Sequence, residues 1–181
     1  MNVRKQLSMK NKQYIQVIFV VLFCVFGMFH SLKAQDMPIP IETQVKIFKK
    51  IFQFNLSFRN QRVTVIVAYS RLSAGIKDDI VAAFKEQGFP ARAVPSKDLE
   101  KYISKARAVY IAPGVSAVDK LCKENGVLSI TGVPSMVQSG KASVGLGTQN
   151  GKPRIFIHKT QSLEENQDLS DNLLRLAKVI Q

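Results

Sequence analysis

Few residues in this chain have types that could do chemistry, and their spacing excludes most of the chemistry they suggest. Ser139-Gly140-Lys141 ends like a phosphate-cradling P-loop, but that loop needs a glycine five residues before Gly140, where the chain has Ser135. Gly145-Leu146-Gly147 lacks the third glycine and following helix of a dinucleotide fingerprint, so these glycines suit close backbone packing or a bulge. Gly114-Val115-Ser116 runs on into Ala117 and Val118, which is no nucleophile elbow. His158 is the only histidine beyond residue 34, so a histidine-rich metal site cannot be assembled, and a strand-end imidazole is expected there. Asp78-Asp79 and Glu164-Glu165 are adjacent pairs, whose side chains point apart on helix or loop, and both read as solvated surface. The sequence therefore implies no enzyme, no metal and no cofactor.

The elements that would position a binding site are easier to read. Pro38 and Pro40 hold the chain extended before a helix over 42–54, where Lys46, Lys49, Lys50 and Gln53 make one polar stripe on an otherwise apolar surface. The run 62–69, RVTVIVAY, is β-branched and apolar enough for a strand covered on both faces. A helix capped by Ser73 and closed by Gly88 follows. Then come a strand over 89–94, a short helix over 96–105, a strand over 107–112, a helix over 117–124 stopped by Gly126, and a strand over 127–131. This alternation predicts an α/β fold: a single three-layer Rossmann-like domain with a mainly parallel sheet and right-handed crossovers. After Thr131 the alternation is expected to stop. Two short strands flank Asn150-Gly151, a strong type I′ hairpin signal, and a C-terminal helix is expected from Ser170, with Leu173, Leu176, Ala177 and Ile180 on one side.

In such sheets ligands sit outside the carboxyl ends of the strands, so the loops that follow strands are the candidate sites. Arg71 follows the first strand, Ser116 the third, and the long stretch 132–141, with Ser135, Met136, Gln138, Ser139 and Lys141, follows the fourth. That stretch suits an anion site or a partner surface, and equally a plain link to the hairpin. Arg154 and His158 on the hairpin complete the candidates, with Arg71, Lys141 or Arg154 available to meet an anion.

The amino terminus has the layout of an export signal. Arg4, Lys5, Lys10 and Lys12 precede an apolar run over 17–29, too short to span a bilayer comfortably, and Leu32-x-Ala34 predicts cleavage after Ala34. Removing residues 1–34 takes away five of the 26 basic residues and none of the 13 acidic ones, so the net charge falls from +13 to +8. A basic exported protein can meet acidic lipids, wall polymers or an acidic protein face, and nucleic acid is not an expected partner outside the cytoplasm. Cys122 would be the one cysteine left, which rules out an intrachain disulfide and fits a buried, inert thiol. The apolar first helix makes a homodimer plausible.

Taken together, the helix VKIFKKIFQF with the strand VTVIVAY, the run VLSITGVPSMVQSGKASVGLGTQNGKPRIFIH and the ending LSDNLLRLAKVI resemble the YfiR-like family of exported bacterial proteins, over residues 44–180. The resemblance implies a periplasmic, non-enzymatic α/β regulator. Such a regulator binds the periplasmic domain of an inner-membrane signalling protein, typically a diguanylate cyclase, or on the rival reading feeds a sensor kinase or transporter. Binding would lower cyclic di-GMP and biofilm output. Some relatives tune this function with cysteine pairs, which Cys122 alone cannot form, and Phe156-Ile157-His158 stands where relatives tend to carry an acidic residue and an asparagine. Two rival functions stay open: a periplasmic small-ligand receptor built from the strand-end loops, and, less favoured, a hydrolase with an unrecognised serine.

Overall fold

The computed structural model describes residues 38–116 and 118–181, so the expected signal peptide over 1–34 lies outside the described residues. No described helix is long and apolar enough to cross a membrane. Helix α1 (Ile41–Phe54) starts directly after Pro40 and buries Val45, Phe48, Ile51 and Phe52, while Lys46, Lys50 and Gln53 stay exposed, as the polar stripe predicts. Strand β1 (Val65–Tyr69) leads through a 3-10 turn, capped reciprocally by Ser70 and Ser73, into α2 (Lys77–Glu86). Strand β2 (Ala91–Pro95) follows Gly88, whose φ of +88° is the left-handed backbone that closes α2.

Two 3-10 segments, Ser96–Lys101 and Ile103–Lys105, stand where a single helix was expected. They connect β2 to β3 (Ala108–Ile111), which lies on the far side of β1. A 3-10 turn rises about 2.0 Å per residue against 1.5 Å for an α-helix, so a short connection crosses the intervening strand more economically this way. Helix α3 (Asp119–Asn125) ends at left-handed Gly126 and feeds β4 (Leu128–Thr131).

Beyond Thr131 the chain departs from the sequence-based expectation. The stretch 132–141 holds a short helix, α4 (Pro134–Gln138), and the strand after it, β5 (Val144–Gln149), pairs parallel to β4. The parallel alternation thus runs one strand further than expected. A five-residue helix is too short to show a 3.6-residue period, and its only sequence mark is Pro134 at the first helical position. Strand β6 (Lys152–His158) returns antiparallel to β5 around Asn150 and Gly151, both at positive φ, which is the expected type I′ hairpin.

Two more short helices follow, α5 (Lys159–Glu164) and α6 (Asp171–Leu176), and the final residues form β7 (Lys178–Ile180), parallel to β6. The expected terminal helix therefore stops at Leu176. Leu176 is 63% exposed, so the leucine spacing does not track one buried face, and the open side of β6 offers the last residues a strand partner instead.

The seven strands run β2-β1-β3-β4-β5-β6-β7, the first five parallel. Tyr110 of β3 meets Phe48 of α1 and Phe84 of α2 edge-on, at ring separations of 6.1 and 5.9 Å, which places both helices on one face. Ile130 pairs with Tyr110, so alternation puts Ser129 and Thr131 on the opposite face, where Thr131 meets the sulfur of Met136 on α4. The result is the three-layer α/β domain that the sequence predicts.

Candidate functional site

Among the described residues a concavity of about 730 Å³ opens between the first turn of α1 and the side of α2. Pro113, just after β3, and Gly132, just after β4, place it outside the carboxyl ends of the strands. The strand order reverses one strand away, between β1 and β3, because β1 has β2 on one side and β3 on the other. In open α/β sheets ligands usually lie outside the carboxyl ends of the strands, close to such a reversal.

Its floor is a hydrogen-bonded triad drawn from three distant segments. The Tyr110 hydroxyl donates to Gln44 Oε1 at 2.9 Å, Gln44 Nε2 donates to the Ile39 carbonyl at 2.6 Å, and the Gly132 N–H lies beside the Tyr110 oxygen. Burial pushes the Tyr110 phenol well up from its ordinary value, with the Gly132 contact opposing weakly. Gly132 is required here for space, since a Cβ would collide with the Gln44 amide. Gln44→Leu keeps the size but leaves the Tyr110 hydroxyl and Ile39 carbonyl unpaired; the expected cost is about 1–3 kcal/mol in urea unfolding.

Apolar walls come from Ile39, Ile41, Ile76, Ala83 and Pro113. The charged groups at the cleft are all acidic: Glu42, Asp79 and Glu86, each exposed. A second concavity of about 440 Å³ lies against the aromatic trio Phe52, Phe58 and Phe89, with Lys49 and Arg59 beside it. It is smaller and borders the residues preceding β1 and β2, at their amino ends.

The residues singled out from sequence fall into two groups, and none of them lines the main cleft. Arg71 and Ser116 are both exposed, and the Leu72 side chain, next to Arg71, abuts Gly114, two residues before Ser116. Ser135, Met136, Gln138, Ser139 and Lys141 surround α4, with only Met136 half-buried. Arg154 is exposed opposite Gly147 in the β5–β6 ladder. His158 is half-buried and caps α5, its Nδ1 accepting from the Gln161 N–H at 3.2 Å while its other nitrogen faces Gly140. Gly145 and Gly147 serve close packing: a Cβ on either would run into Val137 or Pro134 of α4.

Sequence reasoning missed the cleft residues. The available signals were a glutamine, Gln44, on the buried side of α1, and a tyrosine, Tyr110, in an otherwise aliphatic strand.

Glu165 corrects the surface reading of the Glu164-Glu165 pair. Glu164 is exposed and meets Lys123 at 2.6 Å, whereas Glu165 is fully buried. Its carboxyl accepts from the Ser129 N–H at 2.9 Å, from Gln161 Nε2 at 2.9 Å, and from the hydroxyls of Ser129 and Ser143. Ser129 Oγ in turn accepts the Ser143 N–H at 2.7 Å, and Gln167 links this cluster to Asn55 at 2.8 Å. Burial raises the Glu165 carboxyl above its ordinary value, opposed by these donors. Cys122 is buried as expected, and burial pushes its thiol up, with Glu165 and Asp119 adding to the effect. Glu165 lines neither concavity described above.

Among the described residues no group of three or more metal-ligating side chains comes together. No family model and no curated protein matches the chain. Two solved structures are similar in fold. One is the ABC domain from Streptococcus pneumonia in complex with L-Trp, with a TM-score of 0.56 and 15% identity, matching 78% of this chain and 60% of that one. The other is a conserved domain protein from Vibrio cholerae, with a TM-score of 0.58, 14% identity and the same coverage. This chain thus spans about 60% of the length of each, and the likeness establishes a shared α/β fold.

Proposed function

We propose that this chain is an exported, non-enzymatic binding domain whose ligand site is the cleft between α1 and α2. The observation that carries this reading is the position of this concavity, of about 730 Å³, outside the carboxyl ends of β3 and β4. Its described lining residues include no histidine, cysteine or serine, so a serine or cysteine nucleophile paired with a histidine is not among them. A fold neighbour seen with L-Trp lends support. Ala82 lies at the cleft wall and is exposed, so Ala82→Trp fills the site without disturbing the core. In a thermal-shift screen of small metabolites, at least one compound is expected to raise the wild-type Tm and leave Ala82→Trp unmoved. A ligand that stabilises both equally binds elsewhere and defeats the proposal.

A second feature supports the regulatory role that the family resemblance implies. Among the described residues strand β7 ends the sheet; Leu176 just before it is 63% exposed and Val179 within it 39% exposed. An unpaired edge with apolar neighbours suits strand addition by a partner. The partner on this reading is the periplasmic domain of an inner-membrane diguanylate cyclase or sensor kinase, held inactive when bound. Pull-down from membranes is expected to recover that protein with the wild type and to lose it with Leu176→Glu plus Val179→Lys. Unchanged cyclic di-GMP on deletion of the gene would remove the cyclase from consideration.

A further inference from the structure

We infer that the cleft selects a small amine or guanidine carried on an apolar stem and rejects carboxylate-bearing ligands; the inference rests on the cleft being the ligand site. Beyond residue 34 the chain has 21 basic and 13 acidic residues, so a randomly placed cavity would be expected to show lysine or arginine. This one shows Glu42, Asp79 and Glu86 and, among its described lining residues, no cation. The charges that line it therefore oppose in sign the net charge of the chain.

The three carboxylates are also not spent on neighbours. The ion pairs among the described residues are Lys77–Asp78, Lys101–Asp98, Lys120–Glu124 and Lys123–Glu164, and none uses Glu42, Asp79 or Glu86.

An anion has little to hold it here. The first turns of α1 and α2 border the cleft and would attract negative charge, but each already carries its own carboxylate, Glu42 and Asp79 respectively. On the floor, Gln44 and Tyr110 are engaged with each other, with Ile39 and with Gly132. What remains for a ligand is an apolar wall of isoleucine, alanine and proline beneath an acidic rim, in a volume within the range usual for small-molecule sites. An ammonium or guanidinium group at the rim with a hydrocarbon or ring below it matches both features.

Tryptamine and L-tryptophan test this directly, since they share ring and amine and differ by one carboxylate. Calorimetric titration of the full-length protein is expected to show tryptamine, or the ring-free diamine cadaverine, binding about tenfold more tightly than L-tryptophan. The rim variant Asp79→Asn with Glu86→Gln should lose about fivefold or more in amine affinity, and wild-type binding should weaken as salt is raised. Ala82→Trp should abolish it. If L-tryptophan binds as well as the amines, or the rim variant binds amines unchanged, while Ala82→Trp abolishes binding, the selectivity is wrong and the cleft remains the site. If amine binding survives Ala82→Trp, or neither class of titrant binds the wild type, the inference fails; survival in Ala82→Trp also overturns the cleft reading, which the wider metabolite screen tests independently.

Discussion

Replacing Glu165 with alanine is expected to lower the unfolding free energy by about 3–5 kcal/mol, large against the 5–15 kcal/mol typical of a domain. The side chain is fully buried, and its carboxyl is the shared acceptor for the Ser129 N–H, the Ser129 and Ser143 hydroxyls and the Gln161 amide. Removing it leaves buried donors without partners, at about 1–3 kcal/mol each, and opens a cavity. The loss falls on the junction of β4 and β5, because Ser129 and Ser143 are tied together there. Urea unfolding followed by far-UV circular dichroism measures it, and a change below about 1 kcal/mol would show the network to be dispensable.

The same residue sets a pH dependence whose sign follows from its shift. Burial raises the folded carboxyl above its ordinary 4.5, so between that value and the raised one the folded state holds a proton that the unfolded state has released. The corresponding stability is complete below about 4.5 and is lost as pH rises through the folded value. Glu165→Gln keeps the shape and cannot titrate. The stability of wild type relative to Glu165→Gln should therefore be highest in acid and fall toward neutral pH. A flat difference would mean that the carboxyl titrates normally.

The second large effect is expected at the β5 glycines. Gly147→Val should destabilise by about 1–3 kcal/mol or more, because its first carbon would overlap the ring of Pro134, which is rigid and sits at the start of α4. Gly145→Val meets the buried side chain of Val137 in the same way. Relief requires α4 to lift off the sheet, so Met136 and the rest of 132–141 should become accessible to protease. Gly75→Ala is the control: a Cβ there meets nothing within 4 Å, and a change within about ±1 kcal/mol is expected. Equal effects at Gly75 and Gly147 would contradict the observed packing of α4.

The contrast between these sites shows how far sequence reasoning reaches. Residues 42–54, the apolar strands and Asn150-Gly151 were legible because their signals are local: a helical stripe, a β-branched run, a turn that demands positive φ. Helix α4 was not, since one and a half turns give no period, although the glycines against it were correctly read as sites of close approach. The leucine spacing in 173–180 suggested a longer helix, but the last three residues gain a strand partner in β6 that no local pattern reveals.

The sequence by itself determined the α/β class, the mainly parallel sheet, its β5–β6 hairpin and the absence of recognisable catalytic motifs. Only the tertiary structure decided that Glu165 is core while Glu164 is surface, and that the main cleft is ringed by acids in a basic chain. The physical reason is the same for both. Burial, charge environment and cavity volume belong to sets of segments far apart in the chain: Gln44 with Tyr110 and Gly132, or Glu165 with Ser129 and Ser143. A periodic pattern belongs to one segment and can be read without the others.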